Sequence, residues 1–92
     1  MIVSIRHKGL KRLYESDDPR GLNPQHAGKI ALVLGVLDVA STIDEINIPS
    51  FRLHPLTADL KGFWSVTIRA NWRIIFRLED GNVFDLDLVD YH

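Results

Sequence analysis

At Phe51 the apolar residues of this chain change from helical spacing to every second position, which divides the sequence into a helical part and a sheet. Beyond that point Phe51 and Leu53, then Trp64, Val66 and Ile68, then Trp72, Ile74, Phe76 and Leu78, then Phe84, Leu86 and Leu88 alternate with polar neighbours. Each run reads as a half-buried strand. The opposite face then carries Arg52 and His54, Ser65, Thr67 and Arg69, Arg73, Ile75 and Arg77, and finally Asp85, Asp87, Val89 and Tyr91. A slip of one residue would turn every apolar side chain outward, so register can be inferred from parity. Matching inward residues across the last hairpin predicts a loop of Asp80-Gly81-Asn82, with Leu78 opposite Phe84, Phe76 opposite Leu86, Arg77 opposite Asp85 and Arg73 opposite Val89. The same rule applied to the preceding hairpin gives a loop of Ala70-Asn71-Trp72 and sets Arg69 opposite Arg73. Two guanidiniums facing one another repel unless an anion lies between them.

Before Phe51 the signals are helical. Residues Ile2–Ile5 suit a short first strand, and His7–Glu15 follows as a basic amphipathic helix with Leu10, Leu13 and Tyr14 inward and Lys8, Lys11 and Arg12 wet. Asn23-Pro24 supplies an N-cap and first helical residue for a second helix running to about Ala40. Its apolar stripe of Ala27, Ile30, Val33, Leu34 and Leu37, widened by Val36 and Val39, predicts cover on most of its girth. Ser41 or Thr42 followed by Asp44 or Glu45 looks like a capping box, giving a helical turn that Pro49 ends. The expectation is an α+β fold, one βααββββ unit filling residues 1–92 as a single domain, with two helices packed on a mostly antiparallel sheet.

Composition narrows the function classes. Without cysteine there is no disulfide, thiolate metal site or cysteine nucleophile, and a reducing cytoplasm is the expected location. The longest mainly apolar stretch, Ile30–Val36, is far short of the roughly 20 residues of a membrane span, and no signal-peptide run follows the first charges. The net charge of −1 argues against capture of free nucleic acid by electrostatics. It conceals a segregation, however: five basic residues and one acid lie between Arg52 and Arg77, and five acids and no base between Glu79 and Asp90.

On the outward face of the strands His54, Arg69, Arg73 and Tyr91 are expected to meet. Cleavage of RNA without a metal needs a base for the 2′-OH proton, cationic donors for the charge on phosphorus and an acid for the leaving 5′-oxygen. Arginine forks match phosphate oxygens, histidine exchanges protons near neutrality, and tyrosine can donate a hydrogen bond or stack on a base. No pair of histidines stands at ligand spacing, and Arg77 accounts for Asp85 and Asp87, so cofactor-free chemistry is expected. Trp64 and Trp72 read as core aromatics, and His7 and His26 as solvated surface residues.

The runs Leu53-His-Pro-Leu56, Gly62-Phe-Trp-Ser-Val66, Arg69-Ala-Asn-Trp-Arg73 and the closing Asp90-Tyr-His92 resemble the HigB toxin family. The opening His7-Lys8-Gly9-Leu10 and the long apolar second helix are similar to HigB as well, so the resemblance spans the chain. It implies a RelE-like fold with a twisted sheet, and an mRNA endonuclease that cuts translated message in the ribosomal A site. It also implies a HigA-like helix-turn-helix antitoxin, bound away from the cleft, through which the complex reaches operator DNA. Carried over, His54, Arg73, Tyr91 and His92 match the family's active-site positions, with Arg69 and Asp90 as supports. Arg73 would hold the scissile phosphate, Tyr91 would orient or stack the substrate, and His54 and His92 would share the proton transfers. Where relatives often carry a lysine and a glycine after the His-Pro-Leu run, this chain has Thr57 and Ala58, and Lys61 is the cation that could stand in. The competing reading is a catalytically weak RelE-fold corepressor; a free-standing RNA-binding module would want more exposed aromatics and basic charge.

Overall fold

A computed structural model describes residues Met1–Tyr91; the last residue, His92, lies outside the described part. Three helices, α1 (Lys8–Ser16), α2 (Pro24–Val39) and the single turn α3 (Ile43–Ile46), precede four strands, β1 (His54–Pro55), β2 (Trp64–Arg69), β3 (Trp72–Glu79) and β4 (Asn82–Asp90). The strands form one antiparallel sheet in the order β1-β2-β3-β4. The expected first strand is reduced to two parallel bridges, Ile2 to Val83 and Ile5 to Leu86, along the free edge of β4. Asp85 interrupts it: its backbone N–H turns to the Ser4 hydroxyl at 2.8 Å.

The helix starts are built from side chains that satisfy the orphan N–H groups of a first turn. Asn23 accepts from the Gln25 N–H at 2.9 Å and Pro24 needs no partner. At α1 the cap is His7, whose Nδ1 accepts from the N–H groups of Gly9 and Leu10 at 3.0 and 3.2 Å. This half-buried histidine is therefore structural rather than merely solvated. At α3 the bonds run the other way, from the Ser41 N–H and Thr42 hydroxyl to the Glu45 carboxylate. Asp38 ties the N-terminal segment to both long helices: its carboxylate accepts from the Ile2 N–H at 3.0 Å and the Tyr14 hydroxyl at 2.7 Å.

The core lies between the helices and one face of the sheet, where Leu10, Ile30, Val33, Leu37, Ile46 and Phe51 meet Val66, Ile74, Phe76, Val83 and Leu86. Helix α2 contributes His26, Ile30, Val33, Leu34 and Leu37 to this layer, but Leu32 and Val39 stay exposed, so it is covered on one side rather than most of its girth. His26 is 7% exposed and its ring sits 5.9 Å from that of Trp72, which overturns its reading as a surface residue. Trp64 and Trp72 are half-buried against the core. None of the described helices is long and apolar enough to cross a membrane.

Register departs from strict parity at two bulges. Thr67 pairs with Arg73 and Arg69 with Trp72, leaving Ile68 as the extra residue, and the turn is Ala70-Asn71 alone. Arg69 therefore does not face Arg73. It shares a side with Trp72, toward α2, where its guanidinium donates to the Gln25 side-chain oxygen Oε1 at 3.3 Å. In the last hairpin the turn is Asp80-Gly81, left-handed at both positions with φ of 51° and 77°. Leu78 pairs with Val83 and Arg77 with Phe84, so Val83 fills the core and Phe84 faces out beneath the Arg77 guanidinium. Asp85, at φ 55°, is the bulge that brings Leu86 back inward; beyond it the expected pair of Arg73 and Val89 is restored.

Candidate active site

On the face of the sheet away from the helices, backbone register lines up His54, Ser65, Ile75 and Asp87 in one row and Thr67, Arg73 and Val89 in the next. His54 and Arg73 stand two strands apart, roughly 10 Å sideways at ordinary strand spacing, so two long side chains can converge on one phosphate between them. Tyr91 follows Asp90 out of β4, and its N–H donates to the Asn71 carbonyl at 2.8 Å, which holds it beside the β2–β3 turn. A concavity of about 340 Å³ results, lined by Arg52, His54, Pro55, Leu56, Thr57, Ser65, Thr67, Arg73 and Tyr91. Its floor is firm, because Ser65 and Leu56 are 5% and 8% exposed while His54 and Tyr91 stand in solvent.

Among the described residues Arg73 is held by carbonyl oxygens and by no acid. Its Nη1 donates to the Ala70 carbonyl at 2.6 Å and more weakly to that of Trp72 at 3.4 Å. Carbonyl oxygens position a guanidinium but leave its full charge for an incoming anion. The arginines at the other end of this face are different. Arg77 donates to Asp85 at 2.9 Å and also binds Glu79, contacts that hold its guanidinium more firmly protonated than usual. Arg6 reaches Asp85 at 3.6 Å and lies over the Phe63 ring. Asp87 is not engaged by Arg77; its carboxylate accepts from the Leu88 N–H at 2.9 Å. The outer face thus has a neutralised half and a half where positive charge is left over.

Of the residues singled out from sequence, the fold gathers His54, Arg73 and Tyr91 around the concavity. Arg69 is drawn off toward α2, Asp90 sits opposite Trp72 at the end of β4, and Lys61 follows the turn Ala58–Leu60, outside the lining of the concavity. His92 lies outside the described residues. Sequence reasoning passed over Arg52, Ser65 and Thr67. For Ser65 and Thr67 outward parity was the available signal, and for Arg52 the dearth of acids around it.

Among the described residues no three His, Asp or Glu side chains converge as a metal-ligand set. What the arrangement offers is a cationic recess with room for more than a phosphate, and an imidazole and a phenol in its lining.

A family model for the RelE-like toxin of type II toxin-antitoxin system HigB matches residues 3–92. The chain is 44% identical over 92 residues to the Endoribonuclease HigB of Proteus vulgaris, covering 100% of both proteins. It is 30% identical over 83 residues to Toxin HigB-1 of Vibrio cholerae, covering 88% of this chain and 87% of that one. Among solved structures, YafQ from E. coli superposes with a TM-score of 0.62 at 17% identity, over 95% of this chain and 87% of YafQ. A point mutant of YafQ gives 0.59 over the same shares. At that identity the likeness speaks for the fold alone, helices packed on an antiparallel sheet. The family match and the full-length identity together place the chain in the HigB-like family, the RelE-like toxins of type II toxin–antitoxin systems.

Proposed function

We propose that this toxin is an endoribonuclease that cuts messenger RNA in the ribosomal A site while it is being translated, and so arrests growth. The observation that carries the reading is the Arg73 guanidinium, fixed by backbone carbonyls in a recess that it shares with His54 and Tyr91 and whose lining, among the described residues, holds no acid. The relative named as an endoribonuclease supports it.

In the proposed reaction the 2′-oxygen forms a bond to phosphorus as its proton passes to a base, and the bond from phosphorus to the 5′-oxygen breaks as that oxygen takes a proton. The products are a 2′,3′-cyclic phosphate and a 5′-hydroxyl. Arg73 binds the scissile phosphate and stabilises the charge on its oxygens. His54 and His92 share the two proton transfers, and Tyr91 stacks on or orients the adjacent base. No resident metal or cofactor is called for, because guanidinium and imidazole supply the charge and the protons.

A chain of net charge −1 gains little from long-range attraction to RNA, which favours placement of the substrate by the ribosome in the cytoplasm. A toxin of this family has an antitoxin partner; here we take it to be a HigA-like helix-turn-helix protein, through which the pair reaches operator DNA. Thr57 in the lining of the recess, where relatives often carry lysine, favours a second reading as a catalytically weak corepressor. The experiment is induced expression of the wild type, His54→Ala and a chain lacking His92, scored for growth arrest and message cleavage. Arrest by the wild type alone supports the nuclease. A wild type that neither arrests growth nor cuts message, yet still represses its operon with the antitoxin, supports the corepressor.

A further inference from the structure

We propose that Arg52, backed by Lys29, binds a second backbone phosphate of the RNA, one linkage along from the phosphate at Arg73. This rests on the nuclease reading and adds a substrate subsite to it.

The recess at His54 and Tyr91 does not end at Arg73. A second concavity of about 700 Å³ continues from it, sharing Arg52, Thr67 and Arg73 and extending to Lys29, Ser50 and Ala70. Together they make a track across the outer edge of the sheet. Among the described residues no Asp or Glu lines either part, although the chain as a whole has more acids than bases. Such segregation suits a polyanion that lies along a path, rather than a lone anion held at one point.

Arg52 stands at the junction and is rigidly based. The 3₁₀ turn Pro49–Phe51 buries Phe51 completely, Leu53 is half-buried on the same side, and between them Arg52 adopts the left-handed conformation (φ 49°, ψ 50°) that turns its side chain outward. Among the described residues its guanidinium has no hydrogen-bond or ion-pair partner, whereas Arg20 and Arg77 are bound to acids and Arg69 to Gln25. Lys29 repeats the pattern of Arg73: its Nζ donates to the Ser50 carbonyl at 3.0 Å, which fixes it two residues from Arg52 and leaves its charge over. Arg52 is thus a forked phosphate donor placed where Thr57 provides none.

The test uses short RNAs carrying a 2′-deoxy sugar at the attacking position, so that they bind without being cut: a dinucleotide with one linkage and a trinucleotide with two. Affinities are measured by NMR titration of the full chain. For the wild type, the trinucleotide is expected to bind about tenfold tighter than the dinucleotide, as one added charge-assisted contact would give. In Arg52→Gly that advantage should disappear and the salt dependence of trinucleotide binding should fall by about 0.7 in log–log slope. Glycine suits the left-handed backbone at this position, so the fold should be kept, and Arg52→Lys should recover part of the advantage. On translating ribosomes Arg52→Gly should raise KM several-fold with kcat little changed. An Arg52→Gly protein that keeps the tenfold advantage overturns the subsite while leaving the nuclease reading intact. An Arg73→Ala protein that binds the dinucleotide as the wild type does overturns the reading on which the subsite rests. A fall in kcat that tracks a fall in Tm assigns Arg52 to the fold and overturns the subsite too.

Discussion

Replacing Arg73 by alanine separates chemistry from folding more sharply than any other change to the outer face. The side chain is half-buried, and among the described residues it bonds to the Ala70 and Trp72 carbonyls at 2.6 and 3.4 Å, groups that water can satisfy when the guanidinium is gone. The folding cost is then about 0.5–1.5 kcal/mol, and at about 4–8 °C per kcal/mol for a chain of this size Tm should fall by no more than about 12 °C. The catalytic cost is larger. Removing one preorganised donor from the place where charge develops typically costs about 2.7–4 kcal/mol, a loss of 10²–10³ in kcat. Arg73→Lys keeps the charge and loses the fork, and should fall between the two. Single-turnover cleavage of a ribosome-bound message, read by primer extension, gives the rate, and thermal unfolding by circular dichroism gives the stability. Cleavage by Arg73→Ala within about threefold of wild type would refute the assignment. So would a rate loss accompanied by collapse of the transition, which would make the side chain structural.

Two predictions concern the scaffold. A methyl group on Gly9 would lie 2.5 Å from the Gly21 carbonyl oxygen and 2.9 Å from His7 Cε1, so Gly9→Ala should cost about 1–3 kcal/mol of overpacking, outweighing the helix-propensity gain of about 1 kcal/mol; a raised Tm would contradict this. At Asp38 the Ile2 N–H, and secondarily the Tyr14 hydroxyl, hold the carboxyl below its ordinary range. A carboxylate depressed in the folded state contributes stability that is present above its unfolded value of about 3.9 and is lost as pH falls through the folded one. The difference in urea stability between wild type and Asp38→Asn should therefore be about 1–2 kcal/mol near neutrality and shrink by pH 3; a difference independent of pH would contradict the assignment.

Parity identified the three long strands and the side of the sheet for most of their residues, but the run read as a strand from Phe51 is a 3₁₀ turn ahead of a two-residue β1, and both hairpin turns were misread for a single physical reason. An extra residue in a loop and an extra residue in a bulge shift the alternation by the same one position. The requirement that Leu86 and Leu88 face inward was met by a bulge at Asp85, and not by a three-residue loop, so Val83 rather than Phe84 entered the core. The same substitution at Ile68 moved Arg69 off the site and set Thr67 beside Arg73. Arg73 itself was legible because its register to Val89 lies beyond the bulge, where the phase is restored. His26 was misjudged because a lone polar residue in an apolar stripe does not announce its partner, here the Trp72 ring. Arg52 escaped because its conformation comes from the burial of Phe51 and not from any strand pattern.

The central claim is cleavage of translated message at the outer face, and the fate of one RNA presented in two ways tests it most directly. In a purified translation system, a message with its start codon and the same message without it are each incubated with the toxin, and the ends of the fragments are mapped and chemically typed. The account predicts cuts only in the translated message, each leaving a 5′-hydroxyl and a cyclic phosphate, with no cutting by Arg73→Ala. Equal cleavage of both messages, or fragments bearing 5′-phosphates, would contradict it.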